Sequence, residues 1–272
     1  MQSNNPVLSR YEKQPAGFAY SEGQQAYAAA SGQGVDEQFQ TITAAGGARI
    51  TLNDVIVKSL LLFAIVVVFA VAGWTLVVAS PVIFLVAMVV ALVLGFVNAL
   101  KREVSPALVM LYAAAEGLLL GGISNMYDQM ATSNGWEGIV AQAVIATMVT
   151  FGVMLVLYVT GVVKVTRKFA SILMVAVVSY LVIGVISLIT ALFGVGNGWG
   201  IYGLGDFGIL VALAGVLISA FFLMLDFEAI KQGIAAGAPE RESWRMAFGL
   251  LVTLVWIYLE FLRLLALVAG RR

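Results

Sequence analysis

The sequence predicts an all-α membrane protein, a bundle of seven spanning helices. Two composition figures and one pattern predict it. Of 272 residues, 61% are hydrophobic and 11% charged, where a soluble domain has about half and about a quarter. From Leu52 onward, long apolar runs alternate with short charged patches. Each run approaches the ~20 apolar residues that a spanning helix needs. A membrane barrel would instead show alternating strands of ~10 residues.

Composition also excludes chemistry. The chain has no Cys, which removes disulfides, thiolate metal sites and thiol nucleophiles. It has no His, which removes Ser-His catalysis, His-ligated zinc and imidazole pH sensing. Its net charge of +0 gives no sign of a nucleic-acid partner. Function therefore rests on Asp, Glu, Arg, Lys and backbone, with no cofactor expected.

Residues 1–50 form the first segment, rich in Gln, Ala, Gly and Ser and without an apolar period. They read as a disordered tail, because such a composition cannot bury enough surface to offset ordering entropy. They lack the contiguous apolar core of a signal peptide. Residues 51–272 form the membrane domain, with spans at about 55–79, 82–100, 105–127, 138–162, 171–193, 207–229 and 246–268. Only Ser80-Pro81 separates the first two, a turn whose Pro is suited to start the next helix.

Charge predicts orientation. With the N-terminus in the cytoplasm, the inner connections hold Lys101, Arg102, Lys164, Arg167, Lys168, Lys231, Arg241 and Arg245. The outer connections hold Asp128, Glu137 and Asp206 and no base. This is the positive-inside pattern. The outer acids would also concentrate cations at an external mouth. Arg271 and Arg272 fall outside, against the rule, which makes the last span read as re-entrant or unusually deep.

Three acids and one base lie within apolar spans: Glu116, Asp226, Glu260 and Arg263. A charge at bilayer depth costs at least about 2.5–3.5 kcal/mol, so it reads as functional. Ala212, Ser219, Asp226 and Gly233 recur every seven residues, a small polar face suited to helix packing. Glu228 points elsewhere and can pair with Lys231 at the surface. In the last span, Gly249, Thr253, Trp256, Glu260 and Arg263 form a stripe. Glu260 and Arg263, at i and i+3, either neutralise each other or leave Glu260 to face Asp226. Two close carboxylates cannot both ionise cheaply, so an Asp226–Glu260 pair would hold a shared proton and sense pH without histidine. Glu116 lies beside the small face of Ala113, Gly117 and Gly121. It is either a cation or proton relay site or a carboxyl bonded to a neighbouring carbonyl.

The segments LDFEAIK and YLEFLRLL resemble motifs of the Bax inhibitor-1 family, the transmembrane Bax-inhibitor-motif proteins. Asp226, Ile230 and Lys231 match the first motif, and Tyr258, Leu259 and Glu260 the second. Lys101-Arg102 match a basic cluster that reaches the acidic pair, with Arg102 as a supporting charge. The resemblance covers about 52–272 and leaves the tail outside it. It implies a seven-helix bundle with the last helix central. It also implies a pH-sensitive calcium leak channel of a bacterial inner membrane, with Asp226 and Glu260 as sensor, gate and Ca²⁺ path. Carboxylate oxygens suit hard Ca²⁺. The expected partners are then the bilayer, calcium and protons. Two departures shift the pH response: Glu260 stands where many members have Asp, and Arg263 where a neutral polar residue is common.

Depth sets a condition on the pair. Asp226 lies 13 residues before Pro239 and Glu260 lies 21 after it. At ~1.5 Å per residue the depths differ by roughly 12 Å. The two meet only if the last helix begins with an interfacial stretch at 240–245.

Other classes stand beside this reading. Tyr127-Asp128 and Gly203-Leu204-Gly205-Asp206-Phe207 look like the motifs of presenilin-type intramembrane aspartyl proteases. The order disagrees, because Pro106-Ala107-Leu108 precedes the second motif where that family places it after. A proton-coupled transporter or a regulator of other membrane proteins is a third class, and no inverted repeat is evident. A retinal pump is excluded, since 246–268 contain no Lys.

Overall fold

The computed structural model describes residues 48–271. The segment read as a disordered tail lies outside the described residues up to 47. Residues 49 and 50, assigned to that tail, belong to the membrane unit that begins at Arg49. Ile50 is buried and donates its N–H to the Ala238 carbonyl, and Arg49 bridges Pro239.

Among the described residues seven long helices follow: α1 Leu52–Ala79, α2 Pro81–Leu100, α3 Pro106–Ser133, α4 Ile139–Val159, α5 Arg167–Leu192, α6 Gly205–Ala235 and α7 Ser243–Ala269. All seven are long and apolar enough to cross a membrane. The α1 helix starts earlier than its apolar run because Thr51 and Asp54 form a capping box. Pro81 and Pro106 occupy the first turns of α2 and α3, where the missing N–H costs nothing. Thr166 caps α5 by accepting from the Phe169 N–H. Polar residues such as Gln129, Arg167 and Gln232 extend α3, α5 and α6 beyond the predicted spans. A helix keeps bonding its own backbone past the bilayer, until a cap or a glycine stops it. Gly237, at φ 63°, provides that stop after α6.

Alternation of helix direction gives the bundle two ends. Here the basic end holds the connections 101–105, 160–166 and 236–242. The acidic end holds Ser80, 134–138 and 193–204. Two short 3-10 turns, Val195–Gly198 and Gly200–Gly203, fill the last of these.

The α7 helix is central. It packs against α1, α3, α4 and α6, and buries residues along its whole length, from Ser243 to Ala269. It is one continuous helix, neither re-entrant nor broken. Its C-terminal end therefore stands at the acidic end, where Arg271 pairs with Asp206. That ion pair explains how a base is tolerated there. The peripheral helices turn apolar side chains outward, among them Val71, Leu92, Ile172 and Leu188. An apolar exterior around a packed interior is what a bilayer requires.

The α1–α3 contact is the tightest. A Cβ on Gly117 would lie 2.6 Å from the Val66 carbonyl oxygen. One on Gly121 would overlap the Ala70 carbonyl, and one on Gly73 the Leu118 carbonyl. The small face foreseen at Ala113, Gly117 and Gly121 therefore packs backbone to backbone on α1.

Candidate functional site

The α6 and α7 helices run antiparallel, and their register decides where the carboxylates go. Gly215 of α6 faces the Glu260 carboxylate, and a Cβ on Gly249 of α7 would lie 3.7 Å from Asp226 Oδ1. Gly215 to Asp226 is 11 residues, and so is Gly249 to Glu260. At 1.5 Å per residue, Asp226 and Glu260 are offset by about 16 Å along the bundle. The expected Asp226–Glu260 pair is therefore not formed. The α7 helix begins at Ser243, directly after the 3-10 turn Glu240–Glu242, so no interfacial stretch shifts it by enough turns to bring them level.

Glu260 takes the alternative arrangement. It is 4% exposed and forms a salt bridge with Arg263. Tyr180 of α5 donates its hydroxyl to Glu260 Oε1 at 2.7 Å, and Trp256 donates its indole N–H at 2.9 Å. The Arg263 guanidinium also donates to the Tyr180 oxygen. It lies 4.0 Å from the Tyr202 ring centroid, a cation–π contact with the 3-10 turn before α6. Glu260 and Arg263 thus form a charge-paired, hydrogen-bonded cluster in the acidic half of the bundle, in which the buried Arg263 Nε lacks a partner among the described residues.

Asp226 has no such company. The face of Ala212, Ser219, Asp226 and Gly233 does pack on other helices, with Ala212 and Ser219 fully buried. Asp226 Oδ2 is buried without a hydrogen-bond partner. The Thr253 hydroxyl faces Asp226, while donating to the Gly249 carbonyl at 3.2 Å. Asp226 lines a cavity of about 500 Å³ between α2, α3, α6 and α7. Glu116 lines the same cavity, with Tyr112 one turn below directing its hydroxyl at it. None of the lining residues is Lys or Arg. Glu116 is 10 residues from the start of α3, and Asp226 is 9 from the end of α6, so both lie about 15 Å from the basic end.

An aromatic pair lies between the two carboxylate regions. Phe222, one turn from Asp226, lines the cavity and meets Trp256 edge to face at 6.3 Å. Trp256 in turn holds Glu260. Tyr180, Tyr202 and Phe222 carry much of this geometry, and sequence reasoning missed all three. Single aromatics in apolar runs look like ordinary core residues.

The remaining predicted positions separate. Arg102 is exposed at the end of α2, where its carbonyl and that of Lys101 accept from Arg245. It does not reach either acid, because about 15 Å of helix lies between the basic end and Glu116. Glu228 is bonded by Tyr158 of α4 at 2.8 Å and by Gln232 at 2.9 Å, while the expected Lys231 acts on it through its charge without a salt bridge. Asp206, the second protease-like aspartate, has an 86% exposed side chain and is paired with Arg271.

Seven apolar helices, the last of them central and carrying the buried Glu260, define a multi-pass membrane protein. A family model described as Bax inhibitor 1 like matches residues 5–270, and the chain belongs to that family. The match begins inside the segment that the motif comparison left out. No curated protein matches the sequence.

Proposed function

We propose that the protein is a pH-sensitive calcium leak pathway whose cation and proton site is the Asp226–Glu116 cavity. The observation that carries this is Asp226 itself. Its Oδ2 is buried without a partner, beside a cavity with a second carboxylate and no lining base. Such a site attracts a cation or a proton. Ca²⁺ prefers 6–8 oxygen ligands; two carboxylates and the Tyr112 and Thr253 hydroxyls offer six at most and fewer where a carboxylate binds through one oxygen, so water would complete the shell. Incomplete ligation suits an ion that must leave again.

On this reading the Phe222–Trp256 contact interrupts the path toward the acidic half. The Glu260–Arg263–Tyr180 cluster holds the far side shut. A proton on Asp226 or Glu116 removes the charge that recruits Ca²⁺, so occupancy and flux follow pH. The same charge asymmetry supports an inner-membrane location, with the basic end and N-terminus in the cytoplasm. Ion passage needs no covalent step, so the proposed role is not enzymatic.

The test is Ca²⁺ entry into dye-loaded proteoliposomes holding the purified chain, over pH about 5–8. Flux that varies with pH supports the proposal. A folded, reconstituted protein that passes no Ca²⁺ at any pH overturns it and turns attention to a proton-coupled solute or a membrane-protein partner.

A further inference from the structure

A second cavity lies on the opposite side of α7 from the carboxylates. It has a volume of about 490 Å³ and is formed by α1, α3, α4 and α7. Its mouth is flanked by Val67 and Val71 of α1 and by Val144 and Met148 of α4, all exposed. Its floor consists of buried residues, among them Leu120, Leu254 and Val255. The crevice therefore leads from the lipid-facing surface into the packed interior.

Three features identify the occupant by its chemistry. The first is polarity. Three hydroxyls line the floor, and each is already satisfied. Ser124 and Tyr258 bond each other at 2.6 Å, Ser124 also bonds the Leu120 carbonyl, and Thr147 bonds the Ala143 carbonyl at 2.8 Å. These three hydroxyls leave no donor on the floor that asks for a polar ligand, and an apolar floor of this kind excludes water.

The second feature is length. The α1 wall runs from Phe63 to Thr75. Those 12 steps span about 18 Å. One leaflet of a hydrocarbon core of ~30 Å is ~15 Å thick. The third is position. Apart from Phe63, the lining residues of α1, α3 and α4 lie in the half nearer the acidic end, those of α7 lie at its middle, and Trp74 and Thr75 close the slot. The Trp74 carbonyl there accepts from Asn125 at 3.1 Å. An indole and amides at that level match the headgroup zone, where tryptophan collects.

We propose that this crevice holds one acyl chain of a phospholipid from the leaflet at the acidic end, lying along α7 between α1 and α4. The bound chain supplies the packing contacts that the facing walls otherwise lack. It also buttresses the central helix on the side away from Asp226. The site stands independently of the calcium proposal.

The test uses the full chain in nanodiscs doped with phosphatidylcholine that carries a diazirine at either of two depths of one acyl tail. Irradiation and peptide mass spectrometry then locate the adducts. Adducts are expected on Tyr258, which is half-buried, and on buried Ser124 or Thr147, several-fold above those on Tyr180 and Ser187, which are buried and lie outside the crevice. Val144→Trp, or Val67→Trp from the other wall, should fill the mouth from an exposed position. Either should cut the floor adducts several-fold and leave those on exposed Val182 unchanged. Adducts confined to exposed residues, with Tyr258, Ser124 and Thr147 unlabelled, overturn the proposal. So do floor adducts that persist in folded Val144→Trp and Val67→Trp. Labelling by a free diazirine fatty acid but not by the phospholipid, or crosslinks between two copies through this face, likewise overturns it.

Discussion

Replacing Arg263 by Gln should destabilise the bundle more than replacing Arg263 and Glu260 together. The side chains of Arg263 and Glu260 are only 14% and 5% exposed, so solvent screens their attraction weakly. Arg263→Gln leaves the carboxylate among Tyr180, Trp256 and Gly215 without a cation. Removing one partner of a buried pair costs about 3–5 kcal/mol, chiefly because the other charge stays uncompensated. For a domain of this size about 1 kcal/mol corresponds to about 2–4 °C, which predicts a fall in Tm of about 6–20 °C. The double replacement Glu260→Gln and Arg263→Gln removes both charges and keeps the shapes, so it should recover most of that loss. Thermal unfolding of the four proteins in one detergent completes the cycle and isolates the coupling. A double variant as unstable as the sum of the singles would refute a neutralising pair and return Glu260 to consideration as a free, titrating acid.

Other outcomes follow from the packing. Gly121→Ala places a methyl on the Ala70 carbonyl and should strongly reduce folded yield in size-exclusion chromatography. Gly152→Ala meets nothing within 4 Å and should be neutral or stabilise by about 0.5–1 kcal/mol in thermal unfolding. Lys58 is 14% exposed and donates to Glu240 at 3.0 Å and Ser243 at 2.6 Å, tying α1 to the start of α7. Lys58→Met should cost about 1.5–3 kcal/mol by the same assay. Tyr202→Leu removes the ring over Arg263, and hydrogen exchange should rise across 195–204 while the rest of the bundle stays protected.

Much of this architecture is legible in the residues, and the exceptions have physical reasons. Apolar length marks bilayer depth, so all seven spans are visible. Helix ends are not, because Thr51, Gln129 and Gln232 continue helices in polar surroundings. The seven-residue recurrence through Ser219 and Asp226 correctly marks the packed face of α6. The partner across that face is another matter. Motif order joins Asp226 to Glu260, whereas antiparallel register joins Asp226 to Gly249 and Glu260 to Gly215. The unequal separations of Asp226 and Glu260 from Pro239, 13 and 21 residues, already carried that conflict. That Glu116 and Asp226 share a cavity also left a trace, since both lie about three turns from a basic connection. What depth cannot reveal is which helices are neighbours, and that is set by glycine contacts such as Gly121 on Ala70.

The measurement that bears most directly on the central claim compares Asp226→Asn and Glu260→Gln side by side in the proteoliposome calcium assay. Asp226→Asn removes the unpartnered carboxylate and leaves Glu116 as the one acid lining the cavity, so Ca²⁺ flux should be low and its pH dependence much reduced. Glu260→Gln disturbs only the closure on the acidic half, so flux should change in size and keep its pH dependence. The reverse result, with pH dependence intact in Asp226→Asn and lost in Glu260→Gln, would contradict the assignment of the site to the Asp226–Glu116 cavity.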